Sequence, residues 1–590
     1  MLHVGAISLL VSMVSLQLTL CVRADPPVPS NETSCSAIDP AVPWVDCLLQ
    51  PLTFGPLPET VVQFNTSDAK LQTLFDHAEV CEAANTKLFA TNFPLLVEGG
   101  GYGAVWLETQ PMGGAMYGVR NLSLALNNQL IFMQTQRSDG RLPGIVTQRN
   151  VTNGLVHPSY SYPGNANRSM LQGFYMASPA VDVAWLLNRT SSKSPFPTAF
   201  LTALKPVLQN FEAWLWKTRN SSDGVLWLQD CADTGEDGSD KYRSLPNNRL
   251  VPPFENMDMM GYAYDAARAL GRIAVIEGDT EAELHWRSRM DIMATRLKAS
   301  LWHADLGACF DRQRDGNQTV VSTLVHNNIR AMWHGIFSQT MADTFVSRHL
   351  MNRSEFWTKT PLPSISVSDP RFRNIKGNDW SGPPEGLTFQ RAIKALENYG
   401  HHAEVFLIGR AQRTALSTTN TFPQQIDPFT SVPDSGDCYG PMILSMLEYT
   451  ALATGIAVRP ELDALYWSNI YDSEQQRQIQ GVDTTTNTSR STFTFQQRLG
   501  DDNFALTSQS DGNFTGTKNG KTLFVCVGEV RVVTDAVGSV TSVVGVSVER
   551  QAVSLWLPEL QQSINLEVGP NEQWNIDNKS GHATLARSVP

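Results

Sequence analysis

The sequence predicts a mainly α fold, a toroid of helical hairpins over residues 61–472, joined to a C-terminal β-sandwich over residues 473–590. Two observations predict it. Amphipathic or wholly apolar helical stretches follow one another in pairs, with no strands alternating between them, which argues against a parallel sheet. Beyond about Ser473 the texture changes to β-branched, period-two runs bounded by turn residues.

Residues 1–24 read as a secretory signal peptide: an apolar run from Val4 to Val22, then "VRA" before Asp25. An extracellular protein follows from that. Residues 25–60, rich in Pro, Ser and Thr, read as an extended lead-in. The first helical pattern is "SDAKLQTLFDHAEVCEAAN", with Ser67 or Asp68 as cap and Leu71, Leu74, Phe75, Ala78 and Val80 as its apolar stripe. Similar stretches recur at about 112–135, 168–189, 197–219, 255–276, 279–302, 321–347, 384–399, 401–416 and 439–455, and two more would complete a dozen. The strand-like runs include "STFTFQQRL", "KTLFVCVGEVRVVTD", "SVTSVVGVSVE" and "AVSLWLP".

A net charge of −12 argues against nucleic acid, and no run after the first is long and apolar enough for stable membrane insertion. Sequons at Asn31, Asn65, Asn121, Asn150, Asn167, Asn188, Asn220, Asn317, Asn352, Asn487, Asn513 and Asn578 agree with export and glycosylation. Cys35, Cys47, Cys81, Cys231, Cys309, Cys438 and Cys526 would remain after signal cleavage, an odd number with no zinc-like close spacing. Disulfides in an oxidising compartment fit them best, Cys35 with Cys47 being the most local candidate pair.

Chemistry concentrates in loops. "DCADTGEDGSDKYR" gathers Asp230, Asp233, Glu236, Asp237 and Asp240 behind Trp227; calcium and a solvated acidic turn are both open readings, although the spacing is not an EF-hand. "NDWSGPPEGL" sets Trp380 ahead of a helix start containing Glu385, an aromatic lip suited to stacking a sugar ring. "FPQQIDPF" places Gln424 and Asp427 between aromatics. "GGYGAVWLETQPMGGAMYGVRN" offers Tyr102, Trp106 and Glu108 to a pocket, and contains no phosphate-binding loop. A nucleophilic-serine elbow is absent as well.

In this order the pieces resemble the six-hairpin glycosidases with an (α/α)6 barrel, especially the family 63 group that includes mannosylglycerate hydrolases. The resemblance runs from about Ser67 to Leu465 through "YGAVWLETQPMGGAMYGVRNLSLALNNQLIFMQTQRSDGRLPG", "EFWTKTPLPSISVSDPRF" and "WSGPPEGLTFQRAIKALENYG". It implies hydrolysis of α-linked glucosides or mannosides by inversion, without a cofactor or metal. The loop "TGEDGSD" aligns Asp237 with the general acid, leaving Asp233 and Glu236 as tuning or hydroxyl-binding neighbours. The base is the difficulty: relatives carry Glu where "FPQQIDP" has Gln424, and an amide cannot take a proton from water. Glu385 is the replacement expected, with Asp427, Asp434 and Asp437 behind it. Tyr102, Trp106, Trp380 and Gln424 would hold the ring, with Glu108 and Asp427 beside them. A phosphorylase, a rhamnosidase-like hydrolase and an inactive carbohydrate-binding protein are the competing readings.

Overall fold

The computed structural model describes residues 34–589 apart from 36–37, 51–56, 191–195, 237, 245–247, 250–252, 315–317, 378, 435 and 471–490. The expected signal segment, Asp237 and the sequons at Asn31, Asn317 and Asn487 therefore lie outside the described residues.

Twelve α-helices form among the described residues: α1 (Ala69–Ala84), α2 (Gln110–Tyr117), α3 (Leu122–Gln134), α4 (Ala177–Thr190), α5 (Phe196–Thr218), α6 (Met257–Glu277), α7 (Thr280–Ser300), α8 (Asn327–His334), α9 (Gln339–Phe345), α10 (Gly386–Glu397), α11 (His402–Thr419) and α12 (Gly440–Thr454). The dozen is reached because two long stretches each divide. The first breaks after Tyr117, and Asn121 restarts the chain by accepting from the Leu124 N–H at 3.2 Å. The second breaks at Gly335, whose φ of +82° ends α8 in the left-handed conformation. The stretch from 168 turns helical only at Ala177, because Asn165–Ser169 is a strand.

Packing sorts the helices. α2 packs on α4, α4 on α6, α6 on α8, α8 on α10, α10 on α12, and α12 back on α2. These helices are buried on most sides, α8 along its whole length, as expected of helices enclosed by others. α7 instead buries only Trp286, Met293 and Leu297 and packs against α6. α1 starts as the sequence predicts, with the Asp68 carboxylate accepting from the Lys70 and Leu71 N–H groups. Leu74, Phe75 and Ala78 are buried, but Val80 is 67% exposed and does not belong to the stripe.

The strands are more numerous than a mainly α fold suggests. Among the described residues there are, besides two-stranded hairpins and smaller sheets of three and four strands, two large sheets of six and seven strands. Their strands alternate buried and exposed residues, as in Phe493–Leu499. Both sheets cross the division expected at residue 472. Ile456–Arg459 and Ala464–Ser468 belong to the six-stranded sheet, and Thr60–Thr66 lies at one edge of the seven-stranded sheet, antiparallel to Phe493–Leu499. Thr60–Thr66 is drawn there by Phe64, whose ring lies 4.9 Å from Phe75 and 6.0 Å from Phe495. That strand thus ties the sheet to α1.

Two disulfides, Cys35–Cys47 and Cys81–Cys438, are present, while Cys231, Cys309 and Cys526 form none. His77 and Asp437 stand beside Cys81 and Cys438, but the two sulfurs are bonded to each other. No helix among the described residues is long and apolar enough to cross a membrane. Of the described sequon asparagines, seven (Asn65, Asn121, Asn150, Asn167, Asn188, Asn220 and Asn578) are exposed; Asn352 and Asn513 are half-buried.

Candidate active site

Tyr102, Trp106, Glu108, Trp380 and Gln424, singled out from separate loops, line one small cavity together with Glu98, Gln172, Gly235, Leu387 and Tyr439. Its volume is about 30 Å³.

The first wall is built around Glu108, held between the strand Val105–Trp106 and the start of α2. Its carboxylate accepts from Gln172 Nε2 at 3.1 Å and from the Arg391 guanidinium at 3.3 Å. Burial raises its pKa to about 7 against the pull of Arg391 and Arg330. Gly235 presses on this carboxylate: at φ +74°, any Cβ there would collide with the Glu108 oxygens. Only glycine allows that approach. Trp106 forms an edge-to-face pair with Tyr102, and its indole N–H is buried without a protein acceptor, so it is available to a hydroxyl.

Trp380 belongs to the same side. Its carbonyl accepts from the Ser239 hydroxyl, and Ser381 accepts from the Asp240 N–H at 2.8 Å, joining the Trp380 loop to the acidic loop. His326 stacks on its ring, and the Arg330 guanidinium lies 5.2 Å from the ring centroid. In the same lining, Gln424 accepts from the Tyr102 hydroxyl at 3.0 Å, and Glu98 accepts from the Tyr439 hydroxyl at 2.9 Å.

Several expected sugar contacts are turned inward instead. Asp233 is wholly buried and accepts from the Ser169 hydroxyl and from the N–H groups of Leu171, Gln229 and Asp230. It closes a capping box with Asp230 and has no oxygen left for substrate. Glu236 is also buried, bonded to Lys241, His326, Asn327 and Thr234. Burial alone would raise this carboxyl, but Arg330 and Lys241 hold it well below the usual carboxylate range. His326 is pushed down to about 4 by burial and stays neutral. Glu236 is therefore a permanent anion that pins the loop immediately before Asp237. Asp427 folds back on its own turn, accepting from the Phe429 and Thr430 N–H groups and from Asn374. It does not reach the cavity.

Glu385 is the N-terminal flank of α10. It does not line the cavity either. Gln425 donates to one of its oxygens, and Glu385 and Gln425 sit opposite each other in a short bridge. Burial drives its pKa well above the usual range, the Gln425 hydrogen bond opposing weakly. Glu98, Gln172 and Tyr439 went unnoticed in the sequence; the signal for the first was the glycine run Gly99–Gly101, all at positive φ, that follows it.

The cavity's chemistry, carboxylates and amides between aromatic faces, suits a polyhydroxylated ring. Comparison with known proteins agrees. Among curated proteins none matches the sequence. Of solved structures, a family 63 mannosylglycerate hydrolase from Thermus thermophilus in complex with glucose is 17% identical, with a TM-score of 0.50 over 63% of this chain and 99% of its own. A sialidase is 11% identical, with a TM-score of 0.56 over 82% of this chain and 43% of that one. The neutral trehalase of Saccharomyces cerevisiae is 12% identical, with a TM-score of 0.47 over 64% of this chain and 80% of its own. Residues 111–440, more than half of the chain and holding all but the first residue of α2 and the loops of Trp380 and Gln424, match the family described as mannosylglycerate hydrolase MGH1-like glycoside hydrolase domain. The chain belongs to that family and is a glycoside hydrolase.

Proposed function

We propose that the protein is a secreted, N-glycosylated hydrolase of α-linked glucosides or mannosides that works by single displacement with inversion. The carrying observation is the convergence of Tyr102, Trp106, Glu108, Trp380 and Gln424 on one cavity beside Gly235, two residues before Asp237. Asp237 protonates the leaving glycosidic oxygen, while the neighbouring Glu236 stays ionised and braces the loop. Trp106 and Trp380 offer flat faces and Glu108, Gln172 and Gln424 bind hydroxyls. The circuit of even-numbered helices supports an (α/α)6 toroid, and the two large sheets support a β-sandwich on it. The relative solved with glucose supports a hexose in the cavity. Exposed sequon asparagines and the disulfides favour export.

Proton NMR of the protein incubated with α-glucosides, α-mannosides and α-rhamnosides tests this reading. A β-configured reducing sugar released first from a glucoside or mannoside, and lost in Asp237→Asn, is the expected result. An α-configured first product overturns inversion, and binding without release overturns hydrolysis.

A further inference from the structure

A cavity of about 590 Å³ that shares no lining residue with the candidate active site lies between α4, α5, α6, α7 and residues 460–463. Its volume falls in the range of about 300–1,000 Å³ typical of small-molecule sites. α4 contributes Val181, Ala184, Trp185 and Asn188, the i, i+3, i+4, i+7 row that makes one helix face. Asn188 ends that row and is its exposed member. It is also the asparagine of the sequon Asn188-Arg189-Thr190. Helical side chains lean toward the helix N-terminus, so Asn188 covers the turn before it, where Trp185 stands three residues back. The Trp185 ring is held in place: its N–H donates to Asp463 at 2.8 Å, and the Arg189 guanidinium lies 5.3 Å from a ring centroid. From α6 the cavity takes Val275 and Ile276, which are 59% and 60% exposed. From α7 it takes Glu283 and Arg287, where Arg287 donates to Glu283 at 2.7 Å. Exposed apolar side chains gathered around one cavity mark a surface that something covers.

We propose that this cavity seats the N-linked glycan of Asn188: the pair of N-acetylglucosamines that begins such a glycan folds back over Trp185, Val275 and Ile276. The inference rests on the N-glycosylated reading above. The glycan is tethered to a residue of the lining, so its effective concentration at the cavity is set by the tether and not by the solution. The C–H faces of the pyranose rings match Trp185, Val275 and Ile276, while hydroxyl and N-acetyl groups match Glu283 and Arg287. No other described sequon asparagine lines this cavity. The bond itself forms before folding: the Asn188 amide nitrogen loses a proton and bonds to the anomeric carbon, from which the lipid pyrophosphate of the donor leaves with the bonding pair.

The test uses the full-length protein secreted from a eukaryotic host, glycans in place, and a peptide N-glycosidase that must reach the first sugar. Each release converts Asn to Asp and is read site by site from peptide masses. A seated glycan is released only from the fraction that has swung out, so native release at Asn188 should be about tenfold slower than at Asn578 and equal to it after denaturation. Val275→Asp with Ile276→Asp, at two largely exposed positions, should bring Asn188 to the Asn578 rate and leave Asn578 unchanged. Equal native rates in wild type overturn the inference, as does protection that the double variant leaves intact, since that protection would come from the helix alone. If the double variant does not fold, Ile276→Ser should still quicken release at Asn188, and an unchanged rate overturns the seat. Asn188 unmodified while Asn578 carries a glycan overturns this inference alone, and if that protein is a dimer the cavity passes to a second copy. No glycan at any sequon overturns the N-glycosylated reading as well.

Discussion

The Tyr102 hydroxyl donates to the Gln424 side-chain oxygen at 3.0 Å, joining residues 322 positions apart in the lining of one cavity. Gln424→Glu tests what the amide does there. A carboxylate at 424 would accept from Tyr102 as the amide does, but would set a further acidic group in the cavity that Glu98 and Glu108 already line. Like charges resist joint ionisation. The acidic limb of the pH–rate profile should rise by about one unit, while substrate affinity changes little. An unchanged profile would show that these side chains do not sense one another.

Lys241 and Glu236 form a buried ion pair, each side chain 2% exposed or less. Breaking such a pair from one side leaves a stranded charge and costs about 3–5 kcal/mol. Lys241→Met should therefore lower the denaturant midpoint by that equivalent, and its surviving folded fraction should turn over slowly, because Glu236 pins the loop of Asp237. Replacing Glu236 and Lys241 together by apolar residues should cost less than Lys241→Met alone. Urea titration of the single and double variants checks both statements.

Glu82 gives a pH dependence of stability. Burial raises its pKa to about 8, and Asn85 is the main opposing hydrogen bond. Because the folded value lies above the unfolded one of 4.5, the native state binds the extra proton. The stabilisation is complete below about pH 4.5 and is lost as pH rises toward 8, at about 1.4 kcal/mol per unit. Thermal unfolding between pH 5 and 8.5 should show the midpoint falling as pH rises, and Glu82→Gln should flatten much of that slope. An equal slope in both proteins would assign it elsewhere.

The Cys81–Cys438 bond fastens α1 to the segment just before α12, whose loop also carries Gln424. Removing it with a Cys81→Ala, Cys438→Ala pair should cost about 2–5 kcal/mol. KM should rise more than kcat falls, since the loop is positioned by the bond but the chemistry is not done by it. Denaturation and steady-state kinetics of the same double variant separate the two effects.

Much of this was legible in the sequence because it is local. Asp68 caps α1 from its own neighbourhood, and the aromatic loops announce themselves by composition. What could not be read was direction. Five clustered acids suggest a binding site, yet Asp233 turns into a capping box and Glu236 into a buried ion pair, because partners from residues 169 to 327 reach them only in three dimensions. The same blindness hid Glu98, an ordinary acid until Tyr439 comes to lie beside it. Thr60–Thr66 was not read as a strand for a different reason: its partner strand lies more than 400 residues away.

That pairing makes synthesis itself part of the fold. Thr60–Thr66 leaves the ribosome long before Phe493–Leu499 exists, so an early strand must wait, solvent-exposed and edge-competent, through the making of the entire helical region. Contacts of such separation form late, and an unpaired edge invites association with other chains. Chain collapse around α1 can shelter Phe64 in the interval, but the strand's hydrogen bonds to residues 493–499 cannot form until nearly the last hundred residues emerge. A translational stop anywhere before residue 493 would thus leave a product whose first strand is still unmatched, ready material for quality-control recognition.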